Sequence, residues 1–322
     1  MTVRLTRVEV ADLDLDTAGA LAAIDNAVLG GVPLRHHTAE TFLLECRDRN
    51  GEGPDVAVWL AHDGAELVGY AALSHDRFGP QDRAKIIGAV HPAHQRRGLG
   101  RTLVETAEAA TDRPRLRAPA WGGTGGEVAV PRLGYSRHGS HEVRRLDLGV
   151  AQPPELVAAA EITSRDYELE RYVGRAPDRL LGDLQQLREA INDAPGMDSF
   201  DAFPPERIRG YEDTLARQRQ TPYTIVARHR TTGAPAGITM LCVHDLRPAI
   251  AAQEDTSVLA GHRGHRLGLR MKLAMLDWIR AARSDVESID TWNVPANSPM
   301  IAINDALGCR KVAETISFRK ER

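Results

Sequence analysis

The chain of 322 residues is poor in several features that would announce a function by themselves. Its three cysteines, Cys46, Cys242 and Cys309, are too few and too scattered for a disulfide framework or a thiolate metal site. It has no excess of one charge: 41 Lys+Arg stand against 44 Asp+Glu, so no global field draws it to nucleic acid or to a membrane surface. No apolar run approaches the length of a membrane span, and residues 1–16 lack the apolar core of a secretion signal. The sequence therefore implies no nucleic-acid or membrane partner, no metal, and a cytoplasmic setting.

What is present is a duplication. Val90-His91-Pro92-Ala93-His94-Gln95-Arg96-Arg97-Gly98-Leu99-Gly100-Arg101 has a counterpart in Val258-Leu259-Ala260-Gly261-His262-Arg263-Gly264-His265-Arg266-Leu267-Gly268-Leu269. In each, a short apolar strand enters a basic, glycine-containing turn, and an apolar-periodic helix follows. Such a turn aims successive backbone N–H groups into one concavity, and the helix N-terminus adds positive potential, which makes an anion site.

The flanking patterns repeat too. The first half reads as strand 3–10, helices 14–29 and 38–49, a hairpin 56–61 and 66–74, strand 84–90, the cradle, helix 99–111, strand 115–119, a short helix and a closing strand 141–149. The second reads as strand 167–173, helices 177–192 and 205–219, a hairpin 223–229 and 235–243, strand 252–259, the second cradle, helix 266–283, strand 286–292, a helix near 298–307 and a final strand 312–319. Ala151-Gln152-Pro153-Pro154 reads as the linker. Two α/β (α+β) domains are expected, 1–150 and 155–322, each a mixed, mostly antiparallel sheet flanked by helices.

This order resembles the GNAT N-acetyltransferase superfamily, whose motif is Gln/Arg-x-x-Gly-x-Gly/Ala after a central strand. Gln95-Arg96-Arg97-Gly98-Leu99-Gly100 matches it in full. Arg263-Gly264-His265-Arg266-Leu267-Gly268 matches except that Arg266 stands at the first glycine. The resemblance covers nearly the whole chain as a tandem pair. It implies acetyl-CoA as donor and a small-molecule amine as acceptor, with a catalytically degenerate acetyl-CoA-binding or protein-interaction module as the alternative. The pantetheine arm would pair with the strand ending at Val90 or Val258. The N–H groups of residues 96–101 or 264–269 would hold the pyrophosphate, helped by Arg96, Arg97, Arg101, Arg263, His265 and Arg266. Arg266 would either reach outward to a phosphate or block the second cradle. A monomer or a homodimer fits equally.

Acetyl transfer to an amine requires a group that takes the ammonium proton and one that protonates the thiolate. In many proteins of the superfamily a tyrosine four residues before the late glycine does the second; here Val130 and Asn304 stand at those positions, before Gly134 and Gly308. Glu254 and Asp255, on the strand entering the second cradle, are the candidate bases. Strand alternation would put them on opposite faces. Their counterparts Ile86 and Ile87 cannot serve, so the chemistry is expected in the second domain. Asn293 and Asn297 are candidates for holding the acceptor or the CoA arm. Asp193, Asp198 and Asp201, around Met197-Asp198-Ser199-Phe200, would suit a cationic acceptor. His91, His94, His262 and His265 lie in turns without further ligands, which argues against a metal. Residues Gly122–Gly126 read as a flexible loop, Cys309 as core packing, and Trp59 and Trp292 as strand residues of the core.

Overall fold

The computed structural model describes residues 3–32, 34, 36–48, 57–75, 80–193 and 202–322. In chain order the first part runs β1 (Val3–Val8), α1 (Leu15–Leu29), α2 (Ala39–Arg47), β2 (Ala57–Asp63), β3 (Glu66–Ser74), β4 (Arg83–Val90), α3 (Leu99–Ala109), β5 (Arg115–Trp121), α4 (Gly125–Ala129) and β6 (Ser136–Asp147). The second runs α5 (Pro154–Thr163), β7 (Tyr167–Val173), α6 (Leu181–Glu189), α7 (Pro205–Arg217), β8 (Gln220–His229), β9 (Pro235–His244), β10 (Ile250–Val258), α8 (Leu267–Ala282), β11 (Ser288–Asn293), α9 (Ser298–Ala306) and β12 (Arg310–Glu321). Helix starts follow local chemistry. Asp14 accepts from the Thr17 amide at 2.8 Å to cap α1, and Thr38 and Thr41 cap α2 reciprocally.

Chain contacts divide the molecule into two units: one runs to His141 and takes in Ala313–Arg322, and the other spans Glu142–Val312. The strand order in the first is β1-β2-β3-β4-β5-β12, antiparallel except for β4 beside β5. In the second it is β7-β8-β9-β10-β11-β6, antiparallel except for β10 beside β11. The order is the same, and each unit ends on the strand that the other half of the sequence supplies. Strand 312–319, expected to close the second domain, pairs with β5 instead, and its Ile316 and Phe318 are buried with Leu103 and Leu116. Residues 142–147 pair with β11, and Leu146 is buried in the core of the second unit. Residues 1–150 and 155–322 are thus the proposed sequence repeats, and the packed units cut across them.

In the first unit α1 and α2 cover one face of the sheet through Leu21, Phe42 and Leu43, and α3 covers the other through Leu99, Leu103 and Ala107. In the second, α6 and α7 place Leu184, Leu187 and Ile208 against Val226 and Ile238, and α8 places Leu267, Met271 and Met275 among the core of the opposite face. The expected linker ends in a helix, α5, begun by Pro154 where a missing N–H does no harm. It packs on α8. Residues 122–126 are not a loose loop either: Gly122 N bonds Glu314 O at 2.8 Å, Gly123 N bonds the Glu127 carboxylate at 2.8 Å, and α4 starts at Gly125.

Candidate active site

Both cradles adopt one backbone shape. In the first, Arg96 (φ 59°) and Gly98 (φ 84°) are left-handed; in the second, Gly264 (φ 86°) and Arg266 (φ 54°) are. The left-handed positions correspond one to one, and each copy has put its single glycine at a different one of the two. The irregular first glycine of the second motif is therefore not a broken cradle: Arg266 holds the conformation that Gly98 holds. An arginine there is disfavoured by about 1–2 kcal/mol, and each cradle carries one. Nothing lies within 4 Å of where a Cβ on Gly98 or Gly264 would sit, so bare backbone faces open space. Left-handed residues in a turn at a helix N-terminus aim backbone N–H groups into one concavity, which suits a pyrophosphate, so both cradles fit one.

The side chains behind the cradles also correspond. Gln95 Nε2 donates to Val90 O at 2.9 Å, and Arg263 Nε donates to Val258 O at 3.0 Å, so each turn is tied back to the last residue of its strand. Arg97 donates to Ala93 O, and Arg101 to Glu105 and to Arg132 O, which commits both within the protein. Arg263 also reaches Asp193 at 2.8 Å. Arg96, His265 and Arg266 are exposed, whereas Leu99 and Leu267 are buried and seat their helices. Of the acidic loop, Asp198 and Asp201 lie outside the described residues.

In both units the one parallel strand pair comes apart. β4 pairs with β5 only over Arg83–Lys85, and β10 with β11 only over Ile250–Gln253; the unpaired stretch beyond is termed the notch. The units differ at its edge. The β3–β4 register is unbroken from Val90 to Lys85. β10 slips by one residue against β9 between Gln253 and Thr256, a bulge that contains Glu254 and Asp255. Strand alternation is interrupted there, so the expected opposite-face placement does not hold. Both carboxylates act on one phenol, that of Tyr211 on α7, which burial first and then Glu254 push well above the usual tyrosine value. Thr239 and Thr256 hydroxyls at 2.8 Å, and Gln253 Nε2 on Met240 O at 2.5 Å, hold the bulge in place.

Asp255 is paired. Arg188 on α6, only 8% exposed, brings its guanidinium to 3.4 Å from the carboxylate. The same group lies 5.1 Å from the centre of the Tyr211 ring and 5.9 Å from that of Phe203. Burial opposes its charge, but Asp255 and the phenols of Tyr211 and Tyr172 outweigh that and hold it above the ordinary arginine value. Arg188 and Tyr211 went unnoticed in the sequence, where they read as ordinary members of amphipathic helices.

On the far side of the notch Asn304 is fully buried, and its amide donates to Asn293 Oδ1 at 2.9 Å, fastening α9 to the end of β11. Asn297 caps α9, accepting from Met300 N at 3.4 Å. Trp292, expected in the core, is 38% exposed, because β10 has left β11 by that point. Among the described residues no group of His, Cys, Asp and Glu could hold a metal ion. No described helix is long and apolar enough to cross a membrane.

Residues 23–119 match the acetyltransferase (GNAT) family. The mycothiol acetyltransferase of Parafrankia sp. (strain EAN1pec) is 25% identical over 289 residues, 83% of this chain and 84% of that protein. The mycothiol acetyltransferase of Salinispora tropica is 36% identical over 121 residues, 38% of this chain and 35% of its own length. Among solved structures, a tandem GNAT protein from the clavulanic acid biosynthesis pathway superposes with a TM-score of 0.80 at 24% identity, covering 99% of this chain and 98% of that one. A GCN5-related N-acetyltransferase from Sphaerobacter thermophilus superposes at 0.71 with 16% identity, covering 99% and 95%.

Proposed function

We propose, for a chain that carries a GNAT acetyltransferase domain and folds as a tandem of two GNAT-like units, that it moves the acetyl group of acetyl-CoA to the amine of a small molecule in its second unit. That it is an acyl-transferring enzyme follows from the family match and the relatives. The observation that carries the finer reading is the bulge in β10: it presents Glu254 and Asp255 where the parallel strands part, and the first unit has Ile86 and Ile87 on an unbroken register there. The name of two relatives, mycothiol acetyltransferase, supports a small-molecule acceptor. Three cysteines that form no disulfide support a cytoplasmic setting.

Acetyl-CoA, when bound, supplies the activated acyl carbon. The backbone N–H groups of residues 264–269 and the N-terminus of α8 hold its pyrophosphate, and the exposed Arg266 adds charge. Glu254 takes the proton from the acceptor ammonium, directly or through a water. Arg188 engages Asp255, and Glu254, its neighbour in the bulge, is the carboxylate assigned as base. Asn293 and Asn304 act on position, keeping α9 against the strand end. The first unit, with an equally formed cradle and Ile86 and Ile87 at the positions of the two carboxylates, binds acetyl-CoA without transferring it.

Release of free CoA over a panel of small amines tests this, with Gly98→Val and Gly264→Val as the separating pair. A β-branched residue does not take a left-handed backbone, so each variant spoils one cradle. Gly264→Val is expected to lose turnover and Gly98→Val to keep it. The reverse result places the chemistry in the first unit.

A further inference from the structure

A buried charge on α8 has no task in the reading above. Lys272, on α8, is 5% exposed. It stands one turn beyond Gly268, and residues four apart share a helix face. A Cβ on Gly268 would lie 3.6 Å from Ile303 Cδ1 of α9 and 3.8 Å from Val258 Cγ2 of β10. This stripe of α8 therefore faces the wedge between the end of β10 and α9, where the notch lies, and Lys272 continues it inward from the cradle.

The titratable group acting on Lys272 is the Cys309 thiol; no carboxylate does so among the described residues. Cys309 in turn feels Lys272 and Arg144, and from the other side Asp305; burial pushes this thiol up, so it stays protonated and neutral. The Cys309 amide bonds Asn304 O at 2.9 Å, and Asn304 sits at the position where the superfamily often has its tyrosine. Asn304 Oδ1 is buried without a hydrogen-bond partner. Burial pushes the Lys272 ammonium down to about 8. A lysine whose charge burial opposes, with no carboxylate acting on it among the described residues, is a cost to the fold that an apolar residue would not incur, and such departures concentrate at functional sites.

We infer that Lys272 is the proton donor to the sulfur that leaves during acetyl transfer, in place of the tyrosine that neither half of the chain supplies. This rests on the reading that the second unit transfers acetyl. The acceptor ammonium gives one proton to Glu254, its neutral nitrogen bonds the acyl carbon, and that nitrogen loses a second proton to water as the tetrahedral centre collapses. The carbon–sulfur bond breaks, its electron pair stays on sulfur, and the Lys272 ammonium protonates that sulfur. The neutral amine then regains a proton from water.

Lys272→Met and Lys272→Arg test the assignment together. Arginine keeps the charge but does not release a proton near neutrality, so it rescues a structural role and not an acid. Both variants are expected to lose roughly hundredfold in kcat, with acetyl-CoA affinity unchanged, and to lose an alkaline limb of the kcat profile that the wild type shows near pH 8. A readout independent of turnover is the ultraviolet absorbance of the thiolate of bound CoA: in the wild type the bound thiol ionises at lower pH than in Lys272→Met. Wild-type kcat in Lys272→Arg, or identical thiol ionisation in the wild type and Lys272→Met, overturns the inference. If either occurs while Glu254→Gln is inactive, only this inference falls. A fully active Glu254→Gln, or a wild type that acetylates no amine, removes the underlying reading and the inference with it.

Discussion

Arg188 and Asp255 form an ion pair whose two ends are unequally buried, and that inequality predicts an asymmetric response to mutation. The side chain of Arg188 is 10% exposed and that of Asp255 29%, with 3.4 Å between them. At an effective dielectric of about 20 the gross attraction at that distance is about 5 kcal/mol, most of it offset by desolvation of both ions. The net value of the pair is small, but breaking it strands whichever charge is left. Asp255→Asn strands the guanidinium, whose Nε is already buried without a partner, and should destabilise the second unit by about 3 kcal/mol. Arg188→Met strands a carboxylate that reaches water and leaves an apolar chain beside Met240, Tyr211 and Phe203. The expected loss is about 1 kcal/mol.

Thermal melts resolve the difference, since 1 kcal/mol corresponds to about 2–4 °C in Tm for a unit of this size. Asp255→Asn should melt about 6–12 °C below the wild type, Arg188→Met about 2–4 °C below it. The double variant should recover most of the Asp255→Asn loss, because neither charge is then stranded. A larger loss in Arg188→Met than in Asp255→Asn, or a double variant no better than Asp255→Asn, would refute the burial argument.

The fold and the cradles yield further expectations. Arg266→Gly relieves a left-handed arginine and should raise stability by up to about 1 kcal/mol; if Arg266 touches a CoA phosphate, calorimetry on the same variant will show weaker acetyl-CoA binding. Phe318→Ala, near the C-terminus, should cost about 3–5 kcal/mol and speed hydrogen exchange in β5 of the first unit, leaving β10 protected; faster exchange confined to β10 would refute the strand exchange. Lys272→Met should stabilise the chain at neutral pH by up to about 3 kcal/mol, the free energy of moving an ammonium from its usual value of 10.5 to about 8. Between about pH 8 and 10.5 the unfolded lysine holds a proton that the folded one has lost. The wild type should therefore gain stability as pH rises through that window, and the advantage of Lys272→Met should shrink there in denaturant titrations.

Much of this was legible from local pattern. The hairpins, the paired cradles and the helices after them follow from periods and turn residues within a few positions of each other, and the structure places them within a few residues of the expected bounds. Helix α5 was legible in principle, since Pro154 is a good first helical residue, but four residues rich in proline read equally as a linker. The exchange of β6 and β12 was not legible: both strands alternate, and nothing local tells Phe318 or Leu146 which sheet edge will receive it. The bulge was hidden for the same reason. Gln253-Glu254-Asp255-Thr256 continues a strand pattern, and the slip exists only against the register of β9. Arg188 and Lys272 look like solvated helix charges until their neighbours from α7, β10 and the segment after α9 are in place.

The central claim is that the second unit carries the reaction with Glu254 as its base. The most direct measurement is the steady-state rate of CoA release by Glu254→Gln beside its acetyl-CoA dissociation constant. The account predicts a loss of at least about hundredfold in kcat with the dissociation constant unchanged. Undiminished turnover would contradict it.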